Sequence, residues 1–148
     1  LLYPPGTLSF TQIKDAVMEV ARYHIFKLSD AMVTGEIARF ILVLKGLQGE
    51  GAAVPFILAI LVGQIRSLII IRKGLDSGRP YTQILREANV WGDRQKIMGN
   101  AAKRVGLKLL VKALLHAAKI DKISKGVKKG DAWDEIEQLG LHFTFKKS

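Results

Sequence analysis

The sequence predicts an all-α fold, an antiparallel array of about eight helices, and three observations carry that expectation. Apolar residues recur at three- and four-residue spacing along most of the 148 positions. Glycine, proline and asparagine fall between those runs, where helices stop. No alternating stretch is long enough for a strand, apart from a weak candidate at Leu141-His142-Phe143-Thr144-Phe145. With 49% hydrophobic and 24% charged residues, the chain has enough apolar surface for one compact domain and part of another, and is too apolar for disorder.

Leu1-Leu2-Tyr3-Pro4-Pro5-Gly6 reads as a connecting segment, since consecutive prolines fix φ and remove backbone donors. Ser9 and Gln12 have capping-box spacing, and Phe10, Ile13, Val17 and Val20 continue a helix from it. A turn is expected at Arg22-Tyr23-His24, then a short helix from about Phe26 to Val33 ended by Gly35. Glu36 opens a helix with an apolar stripe of Ile37, Phe40, Ile41, Leu44 and Leu47 against Arg39 and Lys45. Gly46, Gly49 and Gly51 read as a loose loop, and Pro55 suits the first turn of the next helix.

That helix, running to about Lys73, is apolar on every side in its first half and so should be buried against several neighbours. It is the one segment that raises a membrane question. Gln64, Arg66 and Ser67 interrupt it after about ten residues, short of the roughly 20 needed to span, and a central Arg costs about 2.5 to 3.5 kcal/mol to insert. No membrane partner is expected. After a loop at Asp76-Ser77-Gly78-Arg79-Pro80 come a short helix from Tyr81 to Ala88, a left-handed stop or cap at Asn89, and helices from about Trp91 to Val105 and Leu107 to Lys125, parted at Gly106. Asp131 caps a last helix whose early acids, Asp134, Glu135 and Glu137, complement the positive end of its dipole.

Charge is distributed unevenly along this order. From Arg94 to Lys129 there are eleven basic residues against Asp121 alone, so this segment carries the whole net charge of +10 and the remainder balances at twelve and twelve. Lys108, Lys112, His116, Lys119 and Lys122 recur at helical spacing on one face, with Leu110, Val111, Leu114, Ala118 and Ile123 assigned to the opposite side. Such a face is a solvated surface, a phosphate contact or a site for an acidic partner. The two helices around Asn89 also have a helix-turn-helix outline, in which Arg94, Gln95 and Asn100 would reach base edges. Against that use, Trp91, Ile97 and Met98 suggest packing.

Several chemistries lack their residues. There is no cysteine, which excludes disulfides and thiolate ligands and suits a cytoplasmic protein. His24, His116 and His142 stand singly, with no metal-ligand spacing, and no phosphate-binding glycine loop or nucleophile elbow occurs. No cofactor, metal or catalytic residue is expected. The chain begins at Leu1 with no signal-peptide pattern and is read as a fragment.

Val90-Trp91 followed by Arg94, Met98-Gly99, Ala102 and Arg104 resembles the C-terminal region of the delta subunit of bacterial DNA polymerase III, the clamp-loader subunit that opens the sliding clamp. Leu1-Leu2-Tyr3-Pro4 with Gly6 and Leu8, then Asp15-Ala16-Val17, Asp30-Ala31-Met32 with Gly35, the helix ending in Arg72-Lys73, and Trp133-Glu135-Leu139 are similar to that family in the same order. The resemblance implies residues 1–23 as the remnant of a middle (lid) domain and 24–148 as a helical collar domain that joins a five-subunit loader. Its implied partners are the tau/gamma and delta-prime subunits, with the sliding clamp held only through an N-terminal domain absent here. It implies an accessory subunit without catalysis of its own. Phe56, Ile60, Gln64, Arg72, Trp91, Arg94 and Met98 are the candidate packing or interface residues. The alternative is an independent helical nucleic-acid-binding domain that meets DNA through the lysine face.

Overall fold

The structure, a computed structural model, describes residues 9–144. The proline segment at 1–6 and Phe145 lie outside the described residues. Among those described there are seven helices and no strand: α1 (Phe10–Thr34), α2 (Ile37–Gly49), α3 (Val54–Asp76), α4 (Tyr81–Glu87), α5 (Arg94–Val105), α6 (Leu107–Ser124) and α7 (Ala132–Leu141). The fold is all-α as predicted. The strand candidate is instead the last residue of α7 and the turn after it, where the amides of His142, Phe143 and Thr144 donate to carbonyls three residues back.

Helix α1 starts where the capping box predicts. The Gln12 amide donates to Ser9 Oγ at 3.2 Å and the Ser9 amide donates to Gln12 Oε1 at 2.8 Å. It ends at Gly35, whose φ of 77° permits its amide to reach the carbonyls of Ala31 and Met32. The turn expected at Arg22-Tyr23-His24 does not form, because none of the three is a helix breaker and the backbone bonds continue through them. One helix replaces two, which is why seven are present rather than eight. What changes along α1 is burial. Phe10 is 82% exposed and Val17 and Val20 are also exposed, whereas Ile25, Leu28, Met32 and Val33 are fully buried.

Helix α2 buries Phe40, Leu44 and Leu47, as its stripe predicts. It also runs through Gly46 to Gly49, so two of the three glycines assigned to a loop are helical. The buried leucines on either side of Gly46 outweigh a helix penalty of about 1 kcal/mol for a glycine. Pro55 does occupy the first turn of α3.

Helix α3 lies at the centre. Ile57, Leu58, Leu61, Ile65, Leu68 and Ile71 are buried, and the helix packs against α1, α4, α5 and α6. It is long and apolar enough to cross a membrane by length and composition; a third of its most apolar window is buried, and half-buried Phe56, Ile60, Val62 and Ile69 pack against the core. Helix α7 closes the array between α2 and α6. Its Asp131 cap accepts from the amides of Trp133 at 2.9 Å and Asp134 at 3.3 Å.

Two glycines test this packing in opposite directions. A Cβ on Gly140 would lie 2.6 Å from the buried Phe40 ring, whereas one on Gly46 meets nothing within 4 Å. Urea unfolding of Gly140→Ala is expected to show a loss of about 1 to 3 kcal/mol from overpacking. Gly46→Ala should gain about 0.5 to 1 kcal/mol from helix entropy.

Candidate interaction surfaces on helices α4 to α7

The join between α4 and α5 is made by two left-handed residues, Asn89 at φ 59° and Gly92 at φ 61°. They delay the helix, so α5 begins at Arg94 rather than at Trp91. Arg94 then turns inward. Its guanidinium pairs with Asp30 of α1 and donates to Gln64 Oε1 of α3 at 2.7 Å, with Met98 Sδ at 3.7 Å. The Gln95 amide group donates to the Val90 carbonyl at 3.2 Å. Two of the three side chains that a helix-turn-helix reader would extend to base edges are therefore committed internally. Asn100 alone remains exposed.

A second arginine on α5 has a similar role that the sequence did not signal. Arg104 donates to the carbonyl of Val33 at 2.7 Å, near the C-terminus of α1, and to that of Phe143 at 3.3 Å, after α7. Burial pushes its pKa down, yet a guanidinium stays charged at neutral pH. The Val33 carbonyl is one that a helix end leaves without an internal partner.

Trp91 was expected to anchor the join by packing, and it does not. It is 61% exposed, with its indole N–H donating to Asn89 Oδ1 at 3.0 Å. The left-handed turn sets it outside the core that Val90 and Met98 enter. Near it lies an open concavity lined by Tyr81, Gly92, Asp93, Gln95, Lys96 and Asn100. Lys103 Nζ stands 5.6 Å from the centroid of the Tyr81 ring, within cation–π reach. Of the remaining interface candidates, Met98 is buried and the other four, Phe56, Ile60, Gln64 and Arg72, are half-buried. Arg72 pairs with Asp76 and keeps its Nε buried without a partner.

On α6 the buried face is Leu110, Ala113, Ala117, Ile120 and Ile123. Val111 and Ala118, assigned to it from the position of the lysines, are exposed. The alanines take their place because small side chains allow the close approach of α3. Lys108, Lys112, Lys119 and Lys122 are exposed on one side as predicted. His116 is not part of that free surface. Its Nε2 lies 2.9 Å from Glu135 Oε1, and its Nδ1 lies 3.2 Å from His142 Nε2. Lys119 Nζ reaches the same Glu135 oxygen at 3.5 Å. Two histidines 26 residues apart, each reading as isolated in the sequence, therefore meet. The direction of the His116–His142 bond follows the tautomer: a neutral His116 that donates from Nε2–H to Glu135 accepts at Nδ1 from His142, and a charged His116 donates to both. No group of three or more metal-ligating side chains occurs among the described residues.

The family model for the DNA polymerase III delta subunit, C-terminal domain, matches residues 22–136. The chain belongs to that family. DNA polymerase III subunit delta of Escherichia coli (strain K12) is 26% identical over 141 residues, covering 95% of this chain and 41% of that protein. The subunit delta of Haemophilus influenzae (strain ATCC 51907 / DSM 11121 / KW20 / Rd) is 24% identical over 149 residues, covering 95% and 43%. The chain thus spans about two fifths of the length of these delta subunits. The match begins two residues after Val20, where α1 passes from exposed to buried.

The α6–α7 contact should loosen on acidification. Burial, then the charges of His116 and Lys112, hold the His142 pKa below its ordinary 6.5. The hydrogen bond from His116, with help from Lys119, holds the Glu135 carboxyl below its ordinary 4.5 against the opposing effect of burial. A depressed histidine pKa means that the unfolded chain binds a proton first. Its stabilising contribution is complete above pH 6.5 and is lost as the pH falls from there through the lower folded value. Glu135 retains its contribution until the pH falls below 4.5. The urea midpoint is expected to fall between pH 7.5 and 5, and His142→Phe should flatten that fall.

Proposed function

We propose that this domain assembles the clamp loader of DNA polymerase III, joining the tau/gamma and delta-prime subunits through a helical collar, and that it neither opens the clamp nor catalyses a reaction itself. The observation that carries this reading is the family match over residues 22–136. Replication in the bacterial cytoplasm is the corresponding location. Residues 1–23 are read as the end of a preceding lid domain and 24–148 as the collar. In support, the apolar side chains of Phe10, Ile13, Val17 and Val20 are exposed on α1 before the family match starts. Half-buried Phe56, Ile60 and Gln64 on α3 are offered as interface residues.

The chain should co-sediment at moderate salt with the helical domains of tau/gamma or delta-prime. A chain begun at Arg22 should do the same. Failure of the longer chain to associate would reject assembly, and loss in the shorter one alone would move the first half of α1 from the lid domain into the interface.

A second reading, contact with DNA, is favoured by the exposure of Trp91 rather than by the lysine stripe. Trp91 lies between exposed Arg86 and Lys96 in the chain, and exposed Tyr81 lies beside Lys103. An exposed aromatic among cations is a stacking platform for an unpaired base, worth about 1 to 3 kcal/mol per base. Trp91→Ala is expected to weaken binding of an oligothymidine about tenfold or more at low salt. Unchanged affinity would remove Trp91 from any DNA contact.

A further inference from the structure

Lys108, Lys112, Leu115, Lys119 and Lys122 follow one another on α6 at steps of four, three, four and three. That spacing sets the five in one seam along a face of the helix. Leu115, its central member, is 66% exposed. It stands on a ridge between two depressions. One is an open groove of about 600 Å³ between α6 and α7, where Leu115 is joined by Lys112, Lys119, Gln138 and the exposed Leu141. The other, of about 400 Å³, lies between α6 and α3 and includes Pro55, Val62 and Leu114. Among the described residues no carboxylate pairs with Lys108, Lys112 or Lys122. Glu135 of α7 is engaged by His116 and Lys119, and Asp121 of α6 by Lys125 at 2.8 Å.

We propose that this seam and the grooves beside it form a docking surface for an acidic amphipathic helix of a partner protein. The partner sets carboxylates against Lys108, Lys112 and Lys122 and one large apolar side chain against Leu115. A second copy of this chain does not fit, because it brings the same +10 and has no acidic surplus to offer. A nucleic-acid strand satisfies the lysines, but its bases stack on aromatic rings, and neither groove is lined by Phe, Tyr or Trp. A solvated lysine face accounts for the charges but for neither the leucine at their centre nor the grooves on both sides of it. This inference stands apart from the assembly reading and does not require it.

The test uses a fluorescein-labelled helical peptide of about 20 residues, with glutamates at heptad seam positions around one central leucine. A matched peptide has glutamine in place of that leucine, and oligothymidine serves as the nucleic-acid probe. Fluorescence anisotropy with the whole chain should give saturable binding of the leucine peptide that weakens as salt rises. Leu115→Ser and Lys112→Glu, both at exposed positions, should each weaken it about tenfold, and circular dichroism verifies that each variant remains helical. No binding of the leucine peptide at low salt overturns the proposal. So does equal binding of the glutamine peptide, which would leave charge alone. Binding of oligothymidine that Lys112→Glu abolishes, without binding of the peptide, assigns the face to nucleic acid instead.

Discussion

Helix α3 has more apolar surface than any single neighbour can cover. Ile57, Leu61, Ile65, Leu68 and Ile71 are all fully buried, and half-buried Phe56, Ile60, Val62 and Ile69 occupy further positions around the helix. Covering it requires helices on several sides, and burial at about 25 cal/mol per Å² of apolar surface supplies the force that holds them there. The chain satisfies this requirement by bringing α1, α4, α5 and α6 to the same helix. The positions of the other surfaces follow. The lysine seam is outward on α6 because Leu110, Ala113, Ala117 and Ile120 are turned toward the core.

Apolar packing has little direction, and α5 supplies direction through its two arginines. Arg94 ties it to α1 and α3, and Arg104 ties it to the end of α1 and the turn after α7. Charge-assisted bonds of this kind fix register more than they add stability, because Arg94 and Asp30 are both more than a third exposed and partly screened. The charge boundary that begins at Arg94 is therefore partly architectural. Arg94 and Arg104 are consumed inside the domain, whereas Lys108, Lys112 and Lys122 are left for something outside it.

Most of the helices were legible because their signals are local. Ser9 with Gln12, Gly35, Pro55, Asn89, Gly106 and Asp131 each mark a boundary that the structure keeps. The readings that failed depended on neighbours distant in sequence. Tyr23 and His24 looked like a turn only because the apolar pattern shifts there, and it shifts because α1 leaves the core. Gly46 looked like a loop because the burial of Leu44 and Leu47, which holds it in a helix, is a tertiary effect. Of the surfaces, the lysine face was visible from its spacing. The outward setting of Trp91 was not, since it depends on left-handed backbone at both Asn89 and Gly92. The meeting of His116 with His142 joins two helices, and no spacing within either one announces it.

The unbroken course of α1 past residue 23 has a mechanical consequence. Between Phe10 and Ala21 the helix is a mostly exposed rod of about 18 Å, at 1.5 Å per residue, with no glycine or proline to act as a hinge. A load applied to that rod meets the buried Ile25 and Leu28 first and then Asp30 and Val33, the positions gripped by Arg94 and Arg104. Tilting the rod therefore works against the core as well as against α5, and the junction that carries Trp91 lies at the start of that helix.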